Sequence, residues 1–127
     1  MNDRPIRIVL DTSAIIAYTH GSIDVGEVIA EIDDEHGAVA LPVMCLIEAF
    51  RVAADRDRLD VLVNHPATVA LTIGSSDWRT IAELASAGGR VDSAAAAFIA
   101  VDYRATMLTR QPGWYAGISA RFPIIEF

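Results

Sequence analysis

Three carboxylates of this 127-residue chain stand where an ionised group is costly. Asp11 closes the apolar run Ile8-Val9-Leu10. Glu48 is the only charge between Gly37 and Phe50, and Asp92 precedes the alanine-rich stretch Ala94 to Ala100. A carboxylate beside an apolar core destabilises the fold unless something compensates it. Three acids far apart in sequence, each at or near the end of an element, suggest one shared site. A divalent cation is the simplest compensating charge, and hard oxygen ligands suit magnesium.

Each acid also has an ordinary explanation. Asp11 can cap the helix that follows it, sharing the task with Thr12 and Ser13. Asp92 stands at a helix start and favours the positive end of the helix dipole. Glu48 falls mid-helix, where capping does not apply, but Arg51 lies three residues on and is placed for a surface pair. Capping and metal binding are compatible, because a capping carboxylate keeps a second oxygen. Glu48 is therefore the residue that separates the two explanations.

The elements that must position these acids follow from periodicity. Ile6 to Leu10 reads as a buried strand and Thr12 to Tyr18 as a short helix. Asp24 to Glu35 carries Val25, Val28, Ile29 and Ile32 at helical spacing, with Gly37 as its C-terminal stop. Ala38 to Leu41 is a second strand. Pro42 then opens a helix to about Ala54, and a polar helix spans about Asp57 to Val63. Ala67 to Ile73 is a third strand. A helix capped by Ser75 or Ser76 closes at Gly88-Gly89. Asp92 or Ser93 begins the next, to about Arg104. Thr106 to Thr109 is a fourth strand, Gln111-Pro112-Gly113 a turn, and Pro123 to Phe127 a last edge strand. Strands alternating with helices predict a parallel α/β sheet covered on both faces. Ligands of such sheets bind outside the carboxyl ends of the strands. Asp11 and Gln111 fall there, and Glu48 and Asp92 lie in helices beside strands.

Length predicts a single domain over residues 1–127, and 53% hydrophobic residues suffice for a core. No apolar run approaches the ~20 residues of a membrane span. Residues 1–7 are polar, unlike a secretory signal, and the lone Cys45 forms no internal disulfide, so a cytoplasmic protein is expected. The net charge of −7 argues against a broad basic face for nucleic acid, though not against a nuclease whose metal attracts phosphate. All ten basic residues are arginine, which removes every mechanism needing lysine. A receiver-like phosphoacceptor domain fails on that ground, and on Thr12 following Asp11. A haloacid-dehalogenase-type phosphatase fails because Ser13 stands where its second Asp belongs. Cys45 lies in an apolar stretch, and His20, His36 and His65 share no metal-ligand spacing.

In order and spacing, IVLDTSAIIAY, LPVMCLIEAF, GGRVDSAAAAFIA and MLTRQPGWY resemble the four motifs of PIN-domain ribonucleases, and in length the VapC-type toxins of bacterial toxin–antitoxin pairs. The resemblance covers nearly the whole chain. It implies a PIN-like three-layer α/β/α fold with a mostly parallel sheet of four to five strands. It implies that Asp11, Glu48 and Asp92 are catalytic metal ligands for Mg²⁺, or Mn²⁺, in the hydrolysis of RNA phosphodiesters. Thr12 or Ser13 would support the site through hydrogen bonds, and Thr109 would occupy the threonine position commonly seen beside the last acid. It further implies a cognate antitoxin, whose helix would lie on some of Ile15, Ile16, Val28 and Ile32 if these do not simply fill the core, and a homodimer. A surplus of negative charge suits a basic partner segment.

One position departs from the pattern. Many PIN nucleases carry a fourth acid after the threonine, where this chain reads Thr109-Arg110-Gln111. Gln111 offers a carbonyl oxygen but no charge. Asp102 falls on another side of its helix and does not replace it. The alternative to a nuclease is thus a PIN-fold protein with a degraded fourth position that binds a protein or RNA without efficient cleavage. Arg51 and Arg110 are the nearest candidates for RNA contacts. Trp78, Trp114 and Tyr115 suit either base stacking or packing.

Overall fold

The computed structural model describes residues 3–118 and 121–127; Met1 and Asn2, the start of the polar leader, lie outside it. β-branched and aliphatic runs form the sheet. Strands β1 (Ile6–Leu10), β2 (Ala38–Pro42), β3 (Thr68–Leu71), β4 (Thr106–Thr109) and β5 (Ile124–Glu126) lie in the order β3-β2-β1-β4-β5, with every pairing parallel. Val9 pairs with Ala40 on one side and Met107 on the other, so β1 is the central strand. All of β2 and the last three residues of β1 are buried, as expected of a parallel sheet covered on both faces.

Six helices flank the sheet: α1 (Thr12–Thr19), α2 (Ile23–Asp34), α3 (Val43–Val52), α4 (Arg56–Val63), α5 (Trp78–Gly88) and α6 (Val91–Tyr103). This is the expected PIN-like α/β architecture. Small residues explain the path of α6. Ala94, Ala95, Ala96, Ala97 and Ala100 are all buried, which lets the helix pack closely on β1, β2 and β4. Gly89 ends α5 in the left-handed conformation (φ 83°), and the two helix axes meet at 118°. That corner places Arg90 and Asp92 beside the carboxyl ends of the central strands. No single helix among the described residues is long and apolar enough to cross a membrane.

Several boundaries differ from expectation for identifiable reasons. Helix α2 does not stop with Gly37 as its left-handed residue. His36 takes that conformation (φ 57°), and its N–H bonds Asp33 while the Gly37 N–H bonds Ile32, a Schellman closure. Gly37 is needed for space instead, since a Cβ there would come within 2.8 Å of the Arg7 side chain. Strand β3 is shorter than expected because Ile73 leaves the ladder and packs against Ile81, Ala94 and Ala95. Neither Ser75 nor Ser76 caps α5. Asp77 precedes the helix, and its carboxylate accepts from the Gly74 N–H at 3.1 Å. Asp92 lies in the first turn of α6, with Arg90 at the cap position. Asp102 is exposed, as expected.

Candidate functional site

The chain runs from β1 to β2 and β3 on one side, then crosses to β4 and β5 on the other. The strand order therefore reverses between β1 and β4. The crevice outside such a switch point is where open α/β sheets bind ligands. Asp11 follows β1 and Thr109 ends β4, so both stand at this point.

Asp11 is fully buried and caps α1. Its Oδ1 accepts from the Ser13 hydroxyl at 2.6 Å and the Ala14 N–H at 3.0 Å. Its Oδ2 accepts from the Thr109 hydroxyl at 2.6 Å and the Tyr115 hydroxyl at 2.7 Å. A carboxylate has about four lone-pair sites, and neutral donors fill all of them here. Thr109 and Ser13 are held in turn: the Gln111 N–H donates to Thr109 Oγ1 and the Arg110 N–H to Ser13 Oγ, both at 2.9 Å. Ser13 and Thr109 thus each hold one oxygen of Asp11. Tyr115 was not singled out as a partner of Asp11. It sits in a 3₁₀ turn (Pro112–Tyr115), fully buried, with its ring edge-on to Phe122 at 5.8 Å. Burial foremost, and then the Asp11 charge, push the phenol well above its usual range.

Asp92 is bound differently. Its Oδ2 accepts from Thr12 Oγ1 at 2.6 Å and from the Arg90 guanidinium at 2.7 Å. Burial alone would raise its pKa. The Thr12 and Arg90 hydrogen bonds and the Arg90 charge outweigh that and hold the carboxyl below the usual range. Adjacent residues of α1 and its cap therefore tie the two aspartates together: Asp11 is the cap, and Thr12 reaches across to α6. The same guanidinium donates to Ser93 Oγ at 3.2 Å and lies 3.8 Å from the centre of the Trp114 ring. Arg90 is not among the residues expected at the site, although an arginine two residues before a candidate acid is a readable signal. Cys45 sits behind this layer, its thiol directed at the Asp92 carbonyl at 3.4 Å. Burial first, with the Asp11 and Asp92 charges adding, pushes that thiol up to about 12.

Glu48 is only half brought in. It lines an open cleft of roughly 270 Å³ together with Met44, Gly89, Arg90, Val91 and Asp92. Its carboxylate, however, is engaged by Arg51 through both oxygens, at 2.9 and 2.8 Å. The surface pair is the arrangement present, favoured by three-residue spacing on one helix face. Among the described residues no three acidic, His or Cys side chains gather closely enough to hold a metal ion as they stand. Gln111 is exposed near the end of β4, and Arg110 lies over Phe127 at 4.7 Å. Arg51 and Arg110 are both exposed, Arg51 in the hollow between α3 and α4 and Arg110 beyond β4. Trp78 is exposed on α5.

No protein-family model and no curated protein sequence matches the chain. Solved structures do. VapBC2 from Rickettsia felis, bound to a DNA fragment from its promoter, aligns with a TM-score of 0.74 over 96% of this chain and 99% of that one, at 12% identity. DNA-bound VapBC from Salmonella typhimurium aligns with a TM-score of 0.66 over 95% and 98%, at 16% identity. FitAcB from Neisseria gonorrhoeae gives 0.53 over 94% and 96%, at 17% identity. At such identities the likeness establishes the fold, and it extends from end to end of the chain. The PIN-like architecture expected from the four motifs is the architecture found.

Proposed function

We propose that the chain is the toxin of a toxin–antitoxin pair and acts as a metal-dependent endoribonuclease at the cleft beside Asp92. The observation that carries this reading is the convergence of Asp11, Asp92 and Thr109 at the switch point, with Glu48 on the rim of the same cleft. The donor set suits magnesium, which keeps several waters and needs only one or two protein carboxylates. Asp92 and Glu48 would hold the ion. The Thr12 and Arg90 side chains both bond Asp92 through Oδ2, and Glu48 becomes available when Arg51 turns to solvent. When bound, the ion would activate water and stabilise charge on the phosphate.

The residues of the chain have distinct tasks in this scheme. Thr12 fixes the orientation of Asp92 through its 2.6 Å hydrogen bond. Asp11 organises the site from behind, fixing Ser13, Thr109 and Tyr115 at the ends of β1 and β4. Direct coordination by Asp11 would require one of its four donors to let go. Arg51 and Arg110 would meet RNA phosphates from the surface. The hollow between α3 and α4 lined by the exposed Ile47, Phe50 and Val63 would be the docking face for an antitoxin segment. Ile15 and Ile32 are core residues, and Ile16 and Val28 pack against the core, so the early helices do not offer that groove.

A second reading has its own support. Asp11 is saturated by neutral donors, and arginines already pair with Asp92 and Glu48, as in a protein that binds RNA or a partner without cutting. Incubation of the purified chain with structured RNA, with and without Mg²⁺, separates the two. Cleavage that needs the metal and is lost in Asp92→Asn and Asp11→Asn is expected. Intact RNA that is nonetheless retained by the protein would establish the binding module instead.

A further inference from the structure

The acidic cleft already contains a cation, and that cation belongs to the chain. The Arg90 guanidinium lies 2.7 Å from Asp92 Oδ2. Its Nε donates to Ser93, and its Cζ lies over the Trp114 ring, 3.8 Å from the ring centre. A stacked guanidinium loses little further freedom on bonding a carboxylate, so this seat is preorganised. Burial is uneven across the pair: the Asp92 side chain is 7% exposed and the Arg90 side chain 35%. The acid is therefore the fixed member, while the guanidinium can leave into the cleft. Unlike Asp11, Asp92 has among the described residues only the Thr12 hydroxyl as a neutral side-chain donor, so a counter-charge is favoured there. Arg90 is also placed where two sequence-distant elements meet, the start of α6 and the 3₁₀ turn after β4.

We infer that Arg90 is a resident counter-ion that competes with a divalent cation for Asp92, with Trp114 as its seat, so that metal entry releases the guanidinium into the cleft. There it faces the space a phosphodiester would enter. The inference rests on the proposed metal-dependent reading and adds to it an exchange of one cation for another. It predicts that removing Arg90 improves metal binding, although removing a buried ion-pair partner would by itself weaken the fold. A purely structural Arg90 would not tighten metal binding.

The test is a titration of the full chain with Mn²⁺, reading free ion by electron paramagnetic resonance. Arg90→Gln is expected to bind Mn²⁺ about tenfold more tightly than the unaltered chain, the effect of one competing charge close to a part-buried site. Arg90→Lys, which keeps the charge but loses the stacked plane, should fall between them. Trp114→Phe, which keeps an aromatic ring but a weaker seat, should tighten binding by about twofold to threefold and serves if Arg90→Gln does not fold. Equal or weaker affinity in the folded variants would overturn the exchange while leaving the metal site in place. Absence of Mn²⁺ binding to the unaltered chain and every folded variant would overturn the metal-dependent reading itself, and the exchange with it.

Discussion

Asp11 is held by hydrogen bonds alone among the described residues. Four neutral donors do the work, and each comes from a different local device: a cap N–H, a serine two residues on, a strand-end threonine and a tyrosine from a 3₁₀ turn. Removing one donor leaves a lone pair of a fully buried carboxylate unsatisfied. Tyr115→Phe keeps the ring against Phe122 and deletes only that hydroxyl, so it should lower stability by about 2 kcal/mol, the scale of a hydrogen bond to a charged group. Urea denaturation of the variant measures this directly, and an unchanged midpoint would show that water or a rearranged Thr109 satisfies Asp11. Cys45 makes a second prediction at this scale. Its thiol is raised from an ordinary value of 9.0 to about 12 in the folded chain. The neutral form is the one the fold favours, so the associated stability is complete below pH 9.0 and is lost as pH rises through about 12. Alkylation by iodoacetamide at pH 8 should accordingly track global unfolding, and rapid labelling of the native chain would contradict that burial.

At the scale of elements, the end of α2 carries a testable strain. His36 occupies the left-handed region, where an L side chain is disfavoured and glycine is not. His36 is exposed, so His36→Gly should stabilise the chain by about 0.5–1 kcal/mol, visible as a higher thermal midpoint. A lower midpoint would mean that the imidazole makes a contact worth more than the backbone relief. The same helix shows why boundaries are harder to read than elements. Periodicity marks Val25, Ile29 and Ile32 as one face, and they are buried. His36 turns left-handed while Gly37 is reserved for close approach to Arg7, a contact across sequence that no local pattern carries. Likewise the alternation of strands and helices is legible because parallel sheets impose it. The shortening of β3 is not, because it depends on Ile73 joining the α5–α6 interface.

For the whole molecule, the site divides in the same way. Asp11 and Asp92 stand out in the sequence as acids at element ends, whereas Thr12, Ser13 and Thr109 are expected only through the motif resemblance, and the hydrogen bonds that join them are seen only in the fold. Arg90, Trp114 and Tyr115 were not, because their roles depend on the corner at Gly89 and the 3₁₀ turn meeting at one place. Glu48 lay between: its helix was evident, but its rotamer is decided by Arg51, one turn along the same face. The proposed function requires this cleft to hold a divalent cation. Crystals of the chain soaked in Mn²⁺ test it through anomalous difference density. The account predicts a peak between Asp92 and Glu48, with Arg51 turned away and Arg90 off the Asp92 carboxylate. A saturating soak that leaves no peak in the cleft, with Arg90 on Asp92 and Arg51 on Glu48, would contradict it.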